Sequence, residues 1–561
     1  MPTHSRLAAF LAETLCAMLI VAGIAFGPSI AQAQTPTVIY ALPGGTGEPV
    51  SPDGWTIAQG RDGNLYVTTQ YGGTEGPGGT VFNVTPAGTP TLVNNYIPWP
   101  FGVTLGRDGN FYGATVFGGT NGVGTVYKLT PKGVMTVLHS FTGGADGDRP
   151  LSPPIQAASG LFYGTTTSQS VADSSVYSVT SGGVLKTLHT FTGTDGQNVY
   201  ALIQGTDGNL YASTCSGGTS NDGVIFKMTA AGKVTVLHNF TGSDGSGACW
   251  ALVQASDGNF YGIANGGGTA GAGVVFKIAP GGTYTVIHNL NGTTDGAYPD
   301  SSLVQATDGN LYGVTSSQNA YDIGTVYRVT TSGTFTTLYT FTSGFTFDAH
   351  GGYPQSALIQ HTNGLLYGST FTGGDSSCGT VIYSGEYHNV PGCGVIYSLD
   401  ISAAPFANLM TTSGKELSTV EILGQGFSKS SSVVEFGGVA ATKIVLTGST
   451  YILATVPAGA LTGPVTVTTG ATTLTSTKTF KVLPTVTGFT PPSGPVGTPV
   501  TITGTGLTQA TKVTFNGKPA SFTVNLDTQI TATVPTGATT GKIVITTPGG
   551  SATSSTKFTV N

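Results

Sequence analysis

Six aromatic residues stand at fixed distances ahead of a recurring Asp-Gly-Asn turn. Trp55, Phe101, Tyr200 and Trp250 lie seven residues before the turn, and Tyr298 and Tyr353 lie ten before it. Aromatic rings with polar tips suit wet interfaces and stacking on sugar rings, and the same spacing also fits rings wedged between repeats. Asp53 and Asp300 fall close to two of these aromatics. As a carboxylate pair they could serve as the acid and base of a glycosidase or lyase. No Ser-nucleophile elbow, HExxH zinc pair or phosphate-binding glycine loop accompanies them, so no catalytic residue is assigned.

Two further constellations have simpler readings. His139, His189, His238 and His288 recur at one place in four repeats. Equivalent residues of separate repeats point away around a rim, which prevents them from converging on one ion at about 2 Å. The Asp of each Asp-Gly-Asn turn is explained by hairpin geometry without calcium. Neither metal nor cofactor is called for. Cys215, Cys249, Cys378 and Cys393 remain once a leader carrying Cys16 is set aside. An even number in an oxidising compartment predicts two bridges, and of the three pairings the short separations favour Cys215 with Cys249 and Cys378 with Cys393.

The elements that position these residues are repeats. Asp-Gly-Asn-Leu/Phe-Tyr occurs at Asp62–Tyr66, Asp108–Tyr112, Asp207–Tyr211, Asp257–Tyr261 and Asp308–Tyr312, with degenerate copies at Ser159–Tyr163 and Asn363–Tyr367. A period near 50 with four short strand signals per copy predicts the blade of a β-propeller. One unit reads as GVTLG (strand a), FYGAT (b), GTVYKLT (c) and MTVLHSF (d) between residues 102 and 141. The last copy has no strand d, whereas TVIYAL at 37–42 matches one. Seven blades closed by this N-terminal strand follow, because closure removes the free sheet edges of an open array.

Composition agrees. Of 561 residues, 86 are Gly, 30 are Pro and only 8% are charged, against about 25% in an average soluble protein. The chain should therefore be all-β. Residues 34–404 hold 10 Lys+Arg against 21 Asp+Glu, and 405–561 hold 9 against 4, giving −11 and +5. No basic stripe could follow a phosphate backbone, so nucleic acid is not an expected partner. Residues 1–33, with Arg6, an apolar stretch and Ala31-Gln32-Ala33, read as a secretory signal, and no later apolar run of about 20 residues could span a bilayer.

The LYG, GTVYK and TVLHSFTG segments of these repeats resemble the GloVer tandem repeat of bacterial exported proteins. After Pro405 two segments align with each other, VEILGQGF (420–427) with VTITGTGL (500–507). The second copy, PTVTGFTPPSGPVGTPVTITGTGL, resembles the opening of IPT/TIG domains, which implies an immunoglobulin-like β-sandwich; the first copy has Met410-Thr411-Thr412-Ser413-Gly414 where the second has its Pro-rich run.

The expected organisation is a signal peptide (1–33), a seven-bladed β-propeller (34–404), an Ig-like IPT/TIG-related domain (405–483) and an IPT/TIG domain (484–561). The expected function is that of an exported binding or adhesion protein. Its propeller face would recognise an extracellular glycan or protein, with the Ig-like modules as spacers. A polysaccharide hydrolase or lyase and a purely structural cell-surface spacer are the alternatives.

Overall fold

The computed structural model describes residues 34–44, 52, 56–73, 78–167, 174–316, 322–342, 350–374, 380–383 and 386–561. Every regular element among them is a β-strand. Residues 37–399 form seven antiparallel sheets, numbered one to seven here, with a separate two-stranded hairpin at 380–391. Sheets one to six have four strands each, in chain order, spanning 58–97, 100–140, 155–190, 203–239, 253–289 and 304–342. Sheet seven takes strands from 352–399 and receives Thr37–Ala41 as its outer strand, paired antiparallel with Val38 opposite Tyr397 and Ala41 opposite Val395. The arrangement is propeller-like.

Burial explains the strand vocabulary. Strands b and c are covered on both faces, as in Phe111–Thr115 and Ser175–Val179, and therefore read as nearly continuous apolar runs. Strand d, as in Met135–Ser140, is half exposed and alternates. Seven apolar clusters each join two consecutive sheets. One of these, containing Leu42, Ile57, Leu65, Phe82, Tyr367 and Ile396, joins sheet seven to sheet one.

The Asp-Gly-Asn-Tyr signature is a hydrogen-bonded unit. Asp108 Oδ1 accepts the Asn110 backbone N–H at 3.0 Å, and its Oδ2 accepts Asn110 Nδ2 at 2.7 Å and the Tyr112 hydroxyl at 2.9 Å. Asp62, Asp207, Asp257 and Asp308 repeat the pattern. The glycine between them needs a positive φ, +83° at Gly109. The signature tyrosine then stacks on the next sheet, Tyr112 on Phe162 at 3.8 Å and Tyr211 on Phe260 at 4.0 Å between centroids. Burial, with the nearby carboxylate, pushes the hydroxyls of these tyrosines well above the usual phenol range.

A glutamine stitch reinforces six of the seven junctions. Gln204 Oε1 accepts the Ala158 N–H of the preceding sheet at 2.8 Å, while its Nε2 donates to the carbonyl of Gly208 in its own turn at 3.0 Å. Gln156, Gln254, Gln305 and Gln360 do the same. At the closing junction Gln59 Oε1 accepts Thr362 N–H at 3.1 Å and its Nε2 donates to Thr362 Oγ1 at 2.8 Å. Sheet two has Leu105 at this place, and there the Arg61 guanidinium donates to the Arg107 carbonyl.

Residues 408–482 and 485–560 form two units with matching strand orders. Each has a four-stranded sheet facing a second sheet, and each has a short parallel pair, Ser413–Gly414 with Lys481–Val482 and Ser493–Gly494 with the C-terminal strand. The first unit contacts the turns between strands a and b of sheets seven and one. Arg61 lies over the Tyr451 ring at 4.4 Å, Thr450 Oγ1 donates to the Arg61 carbonyl at 2.7 Å, and Gln425 Nε2 donates to Thr362 Oγ1 at 2.8 Å.

Candidate ligand-binding face

The loops joining strands d to a and b to c lie at the other ends of the strands from these turns. Their conformation is set by a repeated backbone bond. The carbonyls of Trp99, Arg149, Asn198, Gly247 and Tyr298 accept the N–H groups of Val116, Thr167, Cys215, Asn265 and Ser316 at 3.1–3.3 Å. All five acceptor residues have left-handed φ, from +46° at Arg149 to +68° at Gly247, and Tyr353 in sheet seven has +53°. Gly247 and Asn198 are the residue types that tolerate this region. For Trp99, Arg149 and Tyr298 it costs about 1–2 kcal/mol each.

The expected aromatics do not share one environment. Trp55 and Asp53 lie outside the described residues. Phe101 and Tyr353 are 8% and 7% exposed, so they are covered rather than offered to solvent, and Tyr353 packs in the cluster between sheets six and seven. Tyr200, Trp250, Tyr298 and Asp300 are all half-buried and come from the starts of strands a in sheets four, five and six. Tyr200 meets Trp250 edge to face at 6.1 Å. Burial, with the Asp300 charge added, raises the Tyr200 hydroxyl above its ordinary range. Ser316 Oγ donates to Asp300 Oδ2 at 3.3 Å and to the Tyr298 carbonyl at 3.2 Å, linking the carboxylate to the strained turn. The backs of Trp250 and Tyr298 rest on the apolar cluster between sheets five and six.

Strand-b hydroxyls hold these starts in place, with Thr165 Oγ1 donating to the Tyr200 carbonyl and Ser213 Oγ to the Trp250 carbonyl, each at 3.0 Å. The Cys215–Cys249 disulfide ties sheet four to sheet five immediately beside Trp250. Cys393 is buried and disulfide-bonded, and Cys378 lies outside the described residues.

A second aromatic group on this face was missed by the spacing argument. Trp99 is flanked edge-on by Tyr71 at 5.6 Å and Phe117 at 5.4 Å, and the Arg149 guanidinium lies 5.7 Å from the Phe117 ring. Tyr71 and Phe117 are 41% and 38% exposed, so both flanking rings keep a face in water. The signal was present: each precedes the Gly-Gly pair of its b–c loop, Gly72-Gly73 and Gly118-Gly119.

Residues 22–175 and 155–382 match the Gloeobacter/Verrucomicrobia repeat. The chain belongs to that repeat family. Residues 484–560 match the IPT/TIG domain. No curated protein matches the chain. Among solved structures it is similar to a gluconolactonase of Xanthomonas campestris (14% identity, 51% of this chain and 90% of that one, TM-score 0.34). It is also similar to a fungal alcohol oxidase of the AA5 family in complex with copper (13%, 94% and 100%, 0.42). A surface glycan-binding protein from Prevotella bryantii matches over a smaller part (22%, 26% and 38%, 0.21).

The histidines of this Gloeobacter/Verrucomicrobia repeat protein have a local partner. His139, His189, His238 and His288 each pair through Nε2 with an aspartate of the following loop, Asp146, Asp195, Asp244 and Asp295, at 2.7–3.0 Å. Among the described residues no three His, Cys, Asp or Glu side chains gather as a metal site. Chemically, the face offers aromatic rings, the carboxylate of Asp300 beside them and left-handed backbone at the starts of the strands.

Proposed function

We propose that the chain is an exported, non-catalytic glycan-recognition protein. Its seven-bladed β-propeller, residues 34–404, carries the ligand on the d–a and b–c loop face, and two Ig-like modules, 405–483 and 484–561, act as spacers. The observation that carries this reading is the convergence of Tyr200, Trp250, Tyr298 and Asp300 from three successive sheets, all half-buried, with Trp250 and Tyr298 seated on the core. Half-exposed aromatics beside a carboxylate are suited to stack on pyranose rings and accept hydroxyl protons. The first Ig-like module contacts the opposite turns at Arg61 and Thr362, which leaves this face for a ligand. Export is supported by the leader pattern at 1–33 and by the disulfide between Cys215 and Cys249.

Screening residues 34–561 on a glycan array, with a reducing-sugar release assay on every hit, tests the proposal. Binding without release supports it, provided that Trp250→Ala weakens binding while the melting profile persists. Release of reducing ends would replace it with a hydrolase or lyase, and a blank array rejects it.

A further inference from the structure

We infer that Tyr71, Trp99, Phe117 and Arg149 form a second subsite, separate from the Tyr200–Trp250 group, that takes a pyranosyl unit of a neutral polysaccharide. The inference rests on the reading of this face as ligand-bearing and names the class of glycan. Tyr71 belongs to the b–c loop of sheet one, Phe117 to that of sheet two, and Trp99 and Arg149 begin strands a of sheets two and three. The subsite thus spans three sheets, and the Tyr200–Trp250–Asp300 group spans the next three.

Three observations point to a ligand. Tyr71 and Phe117 keep 41% and 38% of their surface in water although each lies against another ring. Trp99 stands at 73° to Tyr71 and 86° to Phe117, so the rings make an angled cleft rather than a self-stacked pile. Trp99 and Arg149 are both held at left-handed φ, +48° and +46°, where the equivalent residue of sheet five is Gly247. The Arg149 guanidinium lies over the Phe117 ring at 5.7 Å, a contact that steadies the ring. Charge argues against an acidic polymer: residues 34–404 carry 10 Lys+Arg against 21 Asp+Glu, a field that repels polyanions, and the class inferred is a neutral sugar chain.

The test is affinity electrophoresis of residues 34–561 in gels containing xyloglucan, galactomannan or mixed-linkage β-glucan, with alginate and polygalacturonate as acidic probes. Trp99→Gly suits the local φ, so it keeps the fold while removing the ring; Tyr71→Ala/Phe117→Ala removes the flanks without touching the strained residue. Each is expected to weaken retardation by a neutral polymer at least tenfold with the cooperative melt retained. The tryptophan fluorescence change on titration with that polymer should also be smaller in Trp99→Gly than in the unsubstituted chain. Loss of binding in Trp250→Ala but not in the Trp99 or Tyr71/Phe117 variants overturns this subsite and leaves the proposed function standing. Preference for the acidic polymers overturns the neutral class, and no binding to any polymer overturns both readings.

Discussion

Replacing Leu42 with Ala probes the closure between sheets seven and one with the least disturbance. Leu42 is fully buried, its N–H donates to the Gly394 carbonyl at 3.0 Å, and its side chain packs with Ile57, Leu65, Phe82, Tyr367 and Ile396. The substitution keeps the backbone bond and removes three carbons. At roughly 0.8 kcal/mol per buried carbon the transfer loss is about 2.4 kcal/mol, and a residual cavity brings the cost to about 3 kcal/mol, inside the usual 2–5 kcal/mol range for such sites. For roughly 360 residues between Thr37 and Leu399, an unfolding entropy near 2.1 cal/mol/K per residue converts this to a fall of about 4 °C in the melting midpoint. Scanning calorimetry of wild type, Leu42→Ala and Thr37→Ala at one scan rate reads it, with Thr37, an exposed strand residue, within about 0.5 kcal/mol of wild type. Deleting residues 37–42 should do more, exposing the Val395–Leu399 edge and promoting aggregation. An unchanged midpoint for Leu42→Ala would refute the argument that the N-terminal strand completes the last sheet.

Removing the Cys215–Cys249 bridge by paired Ser substitution frees a 34-residue loop and should cost about 3–4 kcal/mol if chain entropy dominates, read as a lowered denaturant midpoint; equal midpoints reject that account. Acid should destabilise the repeat region. Burial lowers the His238 pKa, so the unfolded chain takes that proton first as pH falls below about 6.5. Burial raises Asp146 and Asp195, but their bonds to Thr142 and His139, and to Thr192 and His189, outweigh it and hold both below the ordinary range. Their contribution is present above the unfolded pKa and lost as pH falls through the folded one. A melting midpoint that stays level between pH 7 and pH 3 contradicts this. Glu416 behaves oppositely: burial, with a bond to Asp527 of the following unit, raises it to about 7. Its contribution is present below the ordinary carboxylate range and lost as pH rises through about 7, so Glu416→Gln should raise the midpoint of the C-terminal pair at pH 8 and leave it nearly unchanged at pH 4.

The strand pattern and the closing strand were legible because they rest on local chemistry. Asp-Gly-Asn-Tyr contains its own donors and acceptors, and strands b and c show burial directly as apolar runs. The all-β reading and the 215–249 pairing follow from that same short-range information. The candidate site was legible only in part. Spacing grouped Phe101 with Tyr200 and Trp250, but whether a ring at the start of strand a faces water depends on the neighbouring sheet, and Phe101 is covered. Trp99 escaped notice because its left-handed backbone is imposed by the carbonyl bond to Val116, a tertiary contact with no residue-type signal. The glutamine three residues before each turn recurs in six copies, yet its partner lies about 50 residues away in the preceding sheet, so its role appears only when the sheets are placed side by side.

Hydroxyl-radical footprinting of residues 34–561, free and saturated with the best glycan hit, tests the central claim most directly. Oxidation is read by mass spectrometry at each aromatic side chain. The account predicts protection at Tyr200, Trp250 and Tyr298, with the signature tyrosines on the opposite turns unchanged between the two states. Protection at those turns or on the two C-terminal units, with Trp250 oxidised equally in both states, would contradict it.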